Sequence, residues 1–256
     1  MTAGSVYDYI IVGAGSSGCV LANRLSANPG VRVLLIEAGG RDDNPLIKVP
    51  VMAGRWFARP YLNWSYLTEP QRHLAGRRIS WPRGKVWGGS SSINGMIYVR
   101  GHPQDYESWE EGGLTGWGWK DVLPYFLKAE RFAHGGDALH GGSGPLPVTR
   151  PQADNPLYAA FIRAGVEAGY PECADFNGAD PNGVGYYDYN IFDGQRWSSA
   201  RAYLRPALGR PNLHVISKAL VLRVELDRGR ACGVEIVRGG ATQTLRADRE
   251  VILSAG

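Results

Sequence analysis

Cysteine is scarce in this chain: three in 256 residues, at Cys19, Cys173 and Cys232. They form no C-x-x-C pair and their number is odd, which excludes a disulfide framework and a paired-thiol zinc site and points to reduced thiols in a cytoplasmic setting. Long apolar runs are also missing; none approaches the roughly 20 residues that cross a bilayer. The N-terminus lacks a basic segment followed by an apolar one, so no secretory signal is read there, while peripheral contact with the inner membrane stays open. Neither sign of charge dominates, since 28 Lys+Arg against 24 Asp+Glu leave +4. The one basic cluster, Arg77, Arg78, Arg83 and Lys85 around Trp81 and Pro82, is too narrow for a nucleic-acid surface, so no nucleic-acid partner is expected. Charged residues at 20% and hydrophobic residues at 44% are ordinary for a globular chain and exclude disorder.

Glycine is what the chain has in plenty, with 35 residues clustered at a few loops and in no repeat. The first cluster is the most informative. Tyr7–Val12 (YDYIIV) reads as a buried strand, and Cys19–Ala27 shows helical spacing through Val20, Leu21 and Leu25. Between them stands Gly13-Ala14-Gly15-Ser16-Ser17-Gly18; after Asn28-Pro29-Gly30, Val31–Glu37 reads as a second strand. This is a βαβ unit with a dinucleotide signature. Gly13 allows the tight strand-to-helix turn, Gly15 lets backbone approach a pyrophosphate, and Gly18 lets helix and sheet pack closely. The helix N-terminus offers unpaired N–H groups to that pyrophosphate. Glu37 closes the second strand, where a carboxylate can accept hydrogen bonds from an adenosine ribose. The motif alone does not separate FAD from NAD.

Residues 38–80 are irregular, with prolines at 45, 50, 60 and 70, and a segment of that kind inside a compact domain points to a ligand-wrapping role. A second glycine loop follows, from Gly84 to Gly95, rich in hydroxyls and N–H donors, with apolar Val86, Trp87, Ile93, Met96 and Ile97 interleaved. A second donor loop suits a cofactor that extends further than a nicotinamide, such as a flavin with its ribityl chain. Lys120–Ala129 and Pro156–Ala168 read as helices, the first with Pro124 as a break or early turn. Leu213–Ile216, Ala219–Leu226 and Ala231–Val237 read as strands, the last two as a hairpin, and Glu250–Gly256 as a short final strand.

At these residues the sequence resembles the glucose–methanol–choline oxidoreductases. The resemblance is carried by YDYIIVGAGSSGCVLANRLS, LLIEAG, Asn63-Trp64 and the run from Gly84 through Gly88-Gly89-Ser90-Ser91, Ile93-Asn94, Tyr98 and Gly101 to Glu107. It continues in Gly116-Trp117, Pro124-Tyr125-Phe126, His140-Gly141, Gly144-Pro145, Ser198-Ser199-Ala200, Tyr203-Leu204 and VILSAG, so it spans nearly the whole chain. Bacterial alcohol dehydrogenases and choline dehydrogenases are the members it is most similar to. The resemblance implies FAD as cofactor and oxidation of an alcohol CH–OH group by hydride transfer to flavin N5. Oxygen or a quinone-type acceptor would then take the electrons. It implies that Gly13, Gly15, Ser16, Ser17 and Gly18 hold the pyrophosphate, and Glu37 with Ala38 the adenosine ribose. It further implies that Trp64, Arg83, Gly84, Val86, Gly89 and Ser90 line the cofactor. Asn94, Gly95, Met96 and Ile97 would lie along the flavin ring and ribityl chain, Val221 would offer backbone to adenine, and Ala255 with Gly256 would approach the dinucleotide. Some members carry a flavin-linking histidine immediately before the asparagine; here that residue is Ile93, which implies non-covalent FAD.

The fold expected is α/β: a Rossmann-like FAD-binding domain with a parallel sheet, plus part of an α+β substrate-binding domain. Residues 1–150 are expected to form the FAD-binding domain with its covering loops, 151–210 part of the substrate-binding region, and 211–256 a return to the first domain. The family's catalytic base, a histidine paired with histidine or asparagine, is expected beyond Gly256, so the catalytic residues are not identified in this chain. The final strand is expected to leave an open sheet edge, consistent with a fragment, a split product, or a chain completed by a second polypeptide. The five histidines, at 73, 102, 134, 140 and 214, read as surface or structural residues, with His102 the nearest to a site and no partner expected for His73 or His214. A family lyase or photodecarboxylase and an inactive flavin-binding module are the competing readings, with a nicotinamide dehydrogenase, disfavoured by the second glycine loop, as the remaining alternative.

Overall fold

The computed structural model describes residues 6–152 and 154–256. The chain packs as two units, Met1–Gly95 with Ser198–Gly256, and Met96–Trp197. The first holds a six-stranded sheet: β1 (Val6–Val12), β2 (Val33–Ile36), β3 (Leu213–Ile216), β4 (Ala219–Asp227), β5 (Arg230–Arg238) and β6 (Ala241–Leu253), in spatial order β3-β2-β1-β6-β5-β4. Helix α1 (Ser16–Leu25) connects β1 to β2, the right place for a βαβ crossover.

The sheet is mixed, which refines the parallel sheet expected from the sequence. β3, β2, β1 and β6 run parallel, with Ile10 opposite both Leu34 and Val251. β5 and β4 add an antiparallel extension. The junction is β6, whose Arg246 stands opposite Gly233 of β5 and Val6 of β1. Its length of 13 residues exceeds the expected short strand because its first half is mostly exposed and carries no apolar run. β6 also corrects the expected open edge: it lies between β1 and β5, and the outer strands among the described residues are β3 and β4.

Apolar pattern explains which strands are central. Every residue of β2 is buried, as suits a strand covered on both faces. Ile10, Val12, Leu34, Ile36, Ile216 and Ile236 share one core cluster with Tyr7 and Val234. Ile11, Val33 and Leu35, at the alternate positions, are also fully shielded. α1 packs on β1 and β2 and buries Gly18, Cys19, Ala22 and Asn23. Asn23 Nδ2 donates to the Tyr203 carbonyl at 2.8 Å, and so ties the π-helical turn Ala200–Leu204 to α1.

The second unit contains α2 (Pro103–Glu111), α3 (Trp119–Ala129) and α4 (Pro156–Glu167) with short strand pairs. Pro124 sits inside α3 without ending it, so the break considered at that position does not occur. Ile97-Tyr98 pairs with Asp188-Tyr189, and Glu130–Phe132 pairs with Leu146–Val148. These pairings group 96–150 with the second unit, while Asn23–Tyr203 and its neighbours group 198–210 with the first; the sequence reading drew its boundaries at 150 and 210 instead. No helix among the described residues is long and apolar enough to cross a membrane.

Ile10 is 0% exposed and Leu222 50% exposed. Ile10→Ala is expected to cost about 2–5 kcal/mol, whereas Leu222→Ala should change stability by no more than about 0.5 kcal/mol. Urea unfolding of both variants checks this contrast.

Candidate functional site

The C-terminal ends of β1, β2 and β6 meet at the first glycine loop. Gly13 N–H donates to the Ile36 carbonyl at 2.7 Å, and Ser254 N–H to the Val12 carbonyl at 2.8 Å. Gly13 has φ +95°, and a β-carbon there would stand 2.6 Å from the Ser254 carbonyl oxygen. Both the turn and the contact with the strand behind it therefore require glycine. A β-carbon on Gly18 would meet the Gly13 carbonyl oxygen at 1.9 Å, so the first turn of α1 packs directly on the loop. α1 begins at Ser16 with Gly15 as its N-cap and no side-chain cap, and Ser16 and Ser17 are exposed. The first-turn N–H groups of α1 thus have no capping side chain to accept them.

Glu37 is 6% exposed, and its carboxylate is built into the same loop. One oxygen accepts from Ala14 N–H and the other from Gly39 N–H, each at 2.8 Å. Burial pushes the Glu37 carboxyl above its ordinary value, against the opposing pull of those two N–H groups and of Lys85. Ala38, next to it, is half-buried.

The second glycine loop lies directly on the first. Gly88 N–H donates to the Ala14 carbonyl at 2.7 Å, and Trp87 N–H to the Gly40 carbonyl at 3.0 Å. A β-carbon on Gly89 would approach Gly15 Cα to 2.7 Å. Val86 is fully buried, while Ser90 is exposed and its hydroxyl accepts from Gly84 N–H at 3.1 Å. Ser91 Oγ accepts from Ser199 N–H at 3.0 Å. Asn94 and Gly95 are exposed, whereas Ile93 is 1% exposed and packs with Ile47, Trp56, Leu62 and Val86. Trp64 stacks on Tyr66 with ring centroids 5.8 Å apart, and the Lys85 ammonium lies 4.4 Å from the Trp64 ring.

Other expected residues stand elsewhere. Val221 is on β4, an outer strand with a bulge between Val221 and Arg223, so one row of its backbone groups has no strand neighbour among the described residues. Ala255 and Gly256 follow Ser254 and are exposed. Met96 and Ile97 belong to the second unit, where Met96 adopts φ +63°. The expected list omitted Asn63, which is buried and holds the loop walls together. Its Oδ1 accepts from Ser65 N–H and Arg83 N–H, and its Nδ2 donates to the Phe57 carbonyl. The Asn63-to-Ser65 turn could have flagged it, since asparagine commonly bonds the backbone two residues on. Ser254 was also missed; its hydroxyl is buried with no hydrogen-bond partner among the described residues, and no sequence signal marks it.

Residues 7–256 match the family model described as GMC oxidoreductase. The chain belongs to the GMC oxidoreductase family. It is 49% identical to an oxygen-dependent choline dehydrogenase of Rhizobium etli over 248 residues, 97% of this chain and 45% of that protein. Pyridoxine 4-oxidase from Mesorbium loti matches with a TM-score of 0.93 and 40% identity, over 98% of this chain and 49% of that one. An FAD-dependent oxidoreductase from Chaetomium thermophilum matches with a TM-score of 0.89 and 31% identity, over 98% and 45%. The chain spans about half the length of the relatives it matches.

GMC oxidoreductases bind FAD, and the two glycine loops fit that cofactor. The helix start has no side-chain cap, its serines are exposed, a carboxylate stands at its base, and no side chain separates Gly15 from Gly89. In Gly89→Ala the new methyl would force the loops apart. The variant is expected to keep its far-UV circular dichroism yet lose FAD on gel filtration, while Gly54→Ala, where a β-carbon meets open space, keeps it.

Proposed function

We propose that this chain is the FAD-binding part of an enzyme that oxidises the CH–OH group of a small alcohol to an aldehyde or ketone. The meeting of the two glycine loops at Gly15 and Gly89, with Glu37 bonded to Ala14, carries this reading. A compact nicotinamide dinucleotide needs the first loop only; a flavin also needs donors along its ribityl chain. The similarity to choline dehydrogenases supports a hydroxyl-bearing substrate. When bound, the flavin supplies the two-electron acceptor for the hydride leaving the alcohol carbon.

The chain's own residues have separate tasks in this reading. The α1 N-terminus with Ser16 and Ser17 binds pyrophosphate by N–H donation and a partial positive charge. Glu37 has one lone pair on each oxygen committed to an amide, and its remaining lone pairs accept from ribose hydroxyls. Trp64, Arg83, Gly84, Val86 and Ser90 line the cofactor, and Asn94 and Gly95 lie along the flavin. Residues 6–95 with 198–256 then act as the cofactor unit, and residues from 151 onward in the second unit contribute to substrate binding.

A second reading, of this chain alone as a flavin binder without turnover, is favoured by the histidines. His214 is engaged with Tyr7 Oη at 3.0 Å, which corrects the expectation that it has no partner. His102 caps α2, accepting from Gln104 N–H at 3.1 Å, and His140 is buried between two carboxylates. Each of these three rings is committed to a structural contact, which leaves none of them poised as a general base.

Ile93 offers only a buried alkyl side chain at the position where covalent attachment would occur. FAD should therefore leave the protein completely on acid precipitation, and yellow colour in the pellet would contradict this. Glu37→Ala should weaken FAD binding by on the order of 10-fold or more, the loss of charge-assisted bonds to ribose. Full flavin occupancy of that variant on dilution would remove the ribose assignment. For the reaction itself, FAD-loaded chain is mixed anaerobically with choline and with primary alcohols. No bleaching of the flavin is expected from the isolated chain, and rapid stoichiometric bleaching would place a base within it, with His102→Ala the first variant to make.

A further inference from the structure

Asparagine is followed by glycine three times in the sequence, at Asn94-Gly95, Asn177-Gly178 and Asn182-Gly183. Such a pair carries its own chemistry. The backbone nitrogen of the glycine can attack the side-chain amide carbon of the asparagine, and glycine obstructs that attack least because it has no β-carbon. A new N–C bond closes a succinimide ring, the Cγ–Nδ2 bond breaks, and ammonia leaves with the amide proton. Water then opens the ring at either carbonyl and leaves aspartate or isoaspartate. The sum is asparagine plus water giving the acid plus ammonia, with no oxidant, reductant or enzyme needed. The three pairs differ in how far the fold lets that nitrogen reach that carbon.

Asn177-Gly178 is the most restrained. Asn177 is 3% exposed, its Oδ1 accepts from Arg100 N–H at 3.0 Å, and its Nδ2 donates to the Tyr98 carbonyl at 3.2 Å and to Asp188 Oδ2 at 3.3 Å. Gly178 N–H, the would-be nucleophile, donates to the Asp175 carbonyl at 3.2 Å. Asn182-Gly183 is exposed but tethered. Asn182 Nδ2 donates to Asp180 Oδ1 at 2.9 Å, and Gly183, at φ +125°, lies so close to Pro171 that a β-carbon would stand 2.1 Å from its carbonyl oxygen. Asn94-Gly95 differs from both. Each residue is exposed, Gly95 N–H has no hydrogen-bond partner among the described residues, and a β-carbon on Gly95 would meet nothing within 4 Å. The chain before it is fixed, since Ile93 N–H and Asn94 N–H both donate to the Ser90 carbonyl, at 3.1 and 2.8 Å, and the Ile93 side chain is buried. Rotation toward the attack geometry therefore falls on Gly95, whose amide breaks no bond by moving.

We propose that Asn94-Gly95 is a site of spontaneous deamidation in this chain, converting ahead of Asn182-Gly183 and well ahead of Asn177-Gly178. The argument of charge and space is local to the second glycine loop and holds with or without FAD. Conversion puts a carboxylate, or a backbone lengthened by a methylene, directly after buried Ile93. Because the Gly95 nitrogen must lose its proton to attack, the reaction runs faster as pH rises.

The test is to hold the folded chain, prepared without FAD, at mildly alkaline pH and to follow each asparagine by peptide mass spectrometry with chromatographic separation of isoaspartate. Conversion at Asn94 should exceed that at Asn177 by about tenfold or more, because breaking even one or two buried hydrogen bonds costs that factor, with Asn182 between them. In guanidinium chloride the three rates should converge, since only the fold distinguishes the pairs. Gly95→Ala, whose methyl enters open space, should slow conversion at residue 94 and leave Asn182 unchanged. If that variant does not fold, the comparison of folded with denatured unmodified chain still decides. Equal conversion at Asn94 and Asn177 in the folded chain, Asn182 outpacing Asn94, or a rate order that survives denaturation would each overturn the proposal.

Discussion

Everything in the first unit depends on backbone being allowed to touch backbone at the ends of the parallel strands. Gly13 abuts the Ser254 carbonyl, and Gly89 abuts Gly15. A methyl group at Gly13 or Gly89 would part segments more than 70 residues distant in sequence, since 89 − 15 = 74 and 254 − 13 = 241. Because β1, β2 and β6 are parallel and in register, their C-terminal ends fall on one edge of the sheet. In open α/β sheets that edge collects the helix N-termini and the ligand. The second loop reaches the same edge because Asn63 ties Arg83 to the irregular segment, and Val86, Ile93 and Trp56 bury that segment's apolar residues.

Electrostatics at this edge follows from the same tight packing. Glu37 is shielded enough that desolvation outweighs two amide donors and Lys85, so its carboxyl sits above the ordinary range. Cys19, one turn into α1, is pushed up to about 12, chiefly by burial. A thiol that far from ionising is inert at neutral pH and serves as a small packing residue against the Ala14 carbonyl. The scarcity of cysteine in the sequence is thus matched by the quietness of this one.

The βαβ unit was legible because each of its signals is local: a β-branched run, three glycines at fixed spacing, an acid at the end of the next strand. The structure puts β1 within one residue of its expected start and keeps its expected end, and it places the β4–β5 hairpin at the expected turn. The first half of β6 was not legible, since Ala241–Arg249 is largely exposed and its partner β5 shields it from one side only. Unit boundaries at Gly95 and Ser198 were hidden for a different reason. They are set by pairings such as Ile97 with Tyr189, between residues 92 positions apart, and no window of sequence reports those (189 − 97 = 92). Among site residues, glycines and Glu37 announce themselves by motif. Asn63 shows only its local bond to Ser65, whereas Asn177 acts through Arg100 and Tyr98, far away in sequence, and an isolated asparagine carries no mark of that.

The two units fix their backbone by opposite means. A surface that receives a pyrophosphate needs exposed N–H groups and space, so removing side chains is the economical route, and the turn geometry itself supplies order. The run Met96–Arg100 of the second unit is held instead by directional bonds. Hydrogen bonds from Asn177, Asn190 and the Asp188-Tyr189 strand engage Met96, Tyr98 and Arg100, and within this run Met96 is buried while Ile97 is 49% exposed. Apolar packing alone would bury Met96–Arg100 but would not fix its register, because alkyl contacts tolerate sliding that hydrogen bonds do not. Directional bonds do fix it, and the buried Arg100–Glu130 pair offsets part of its desolvation through its contact at 2.7 Å, while Arg100 Nε has no partner among the described residues.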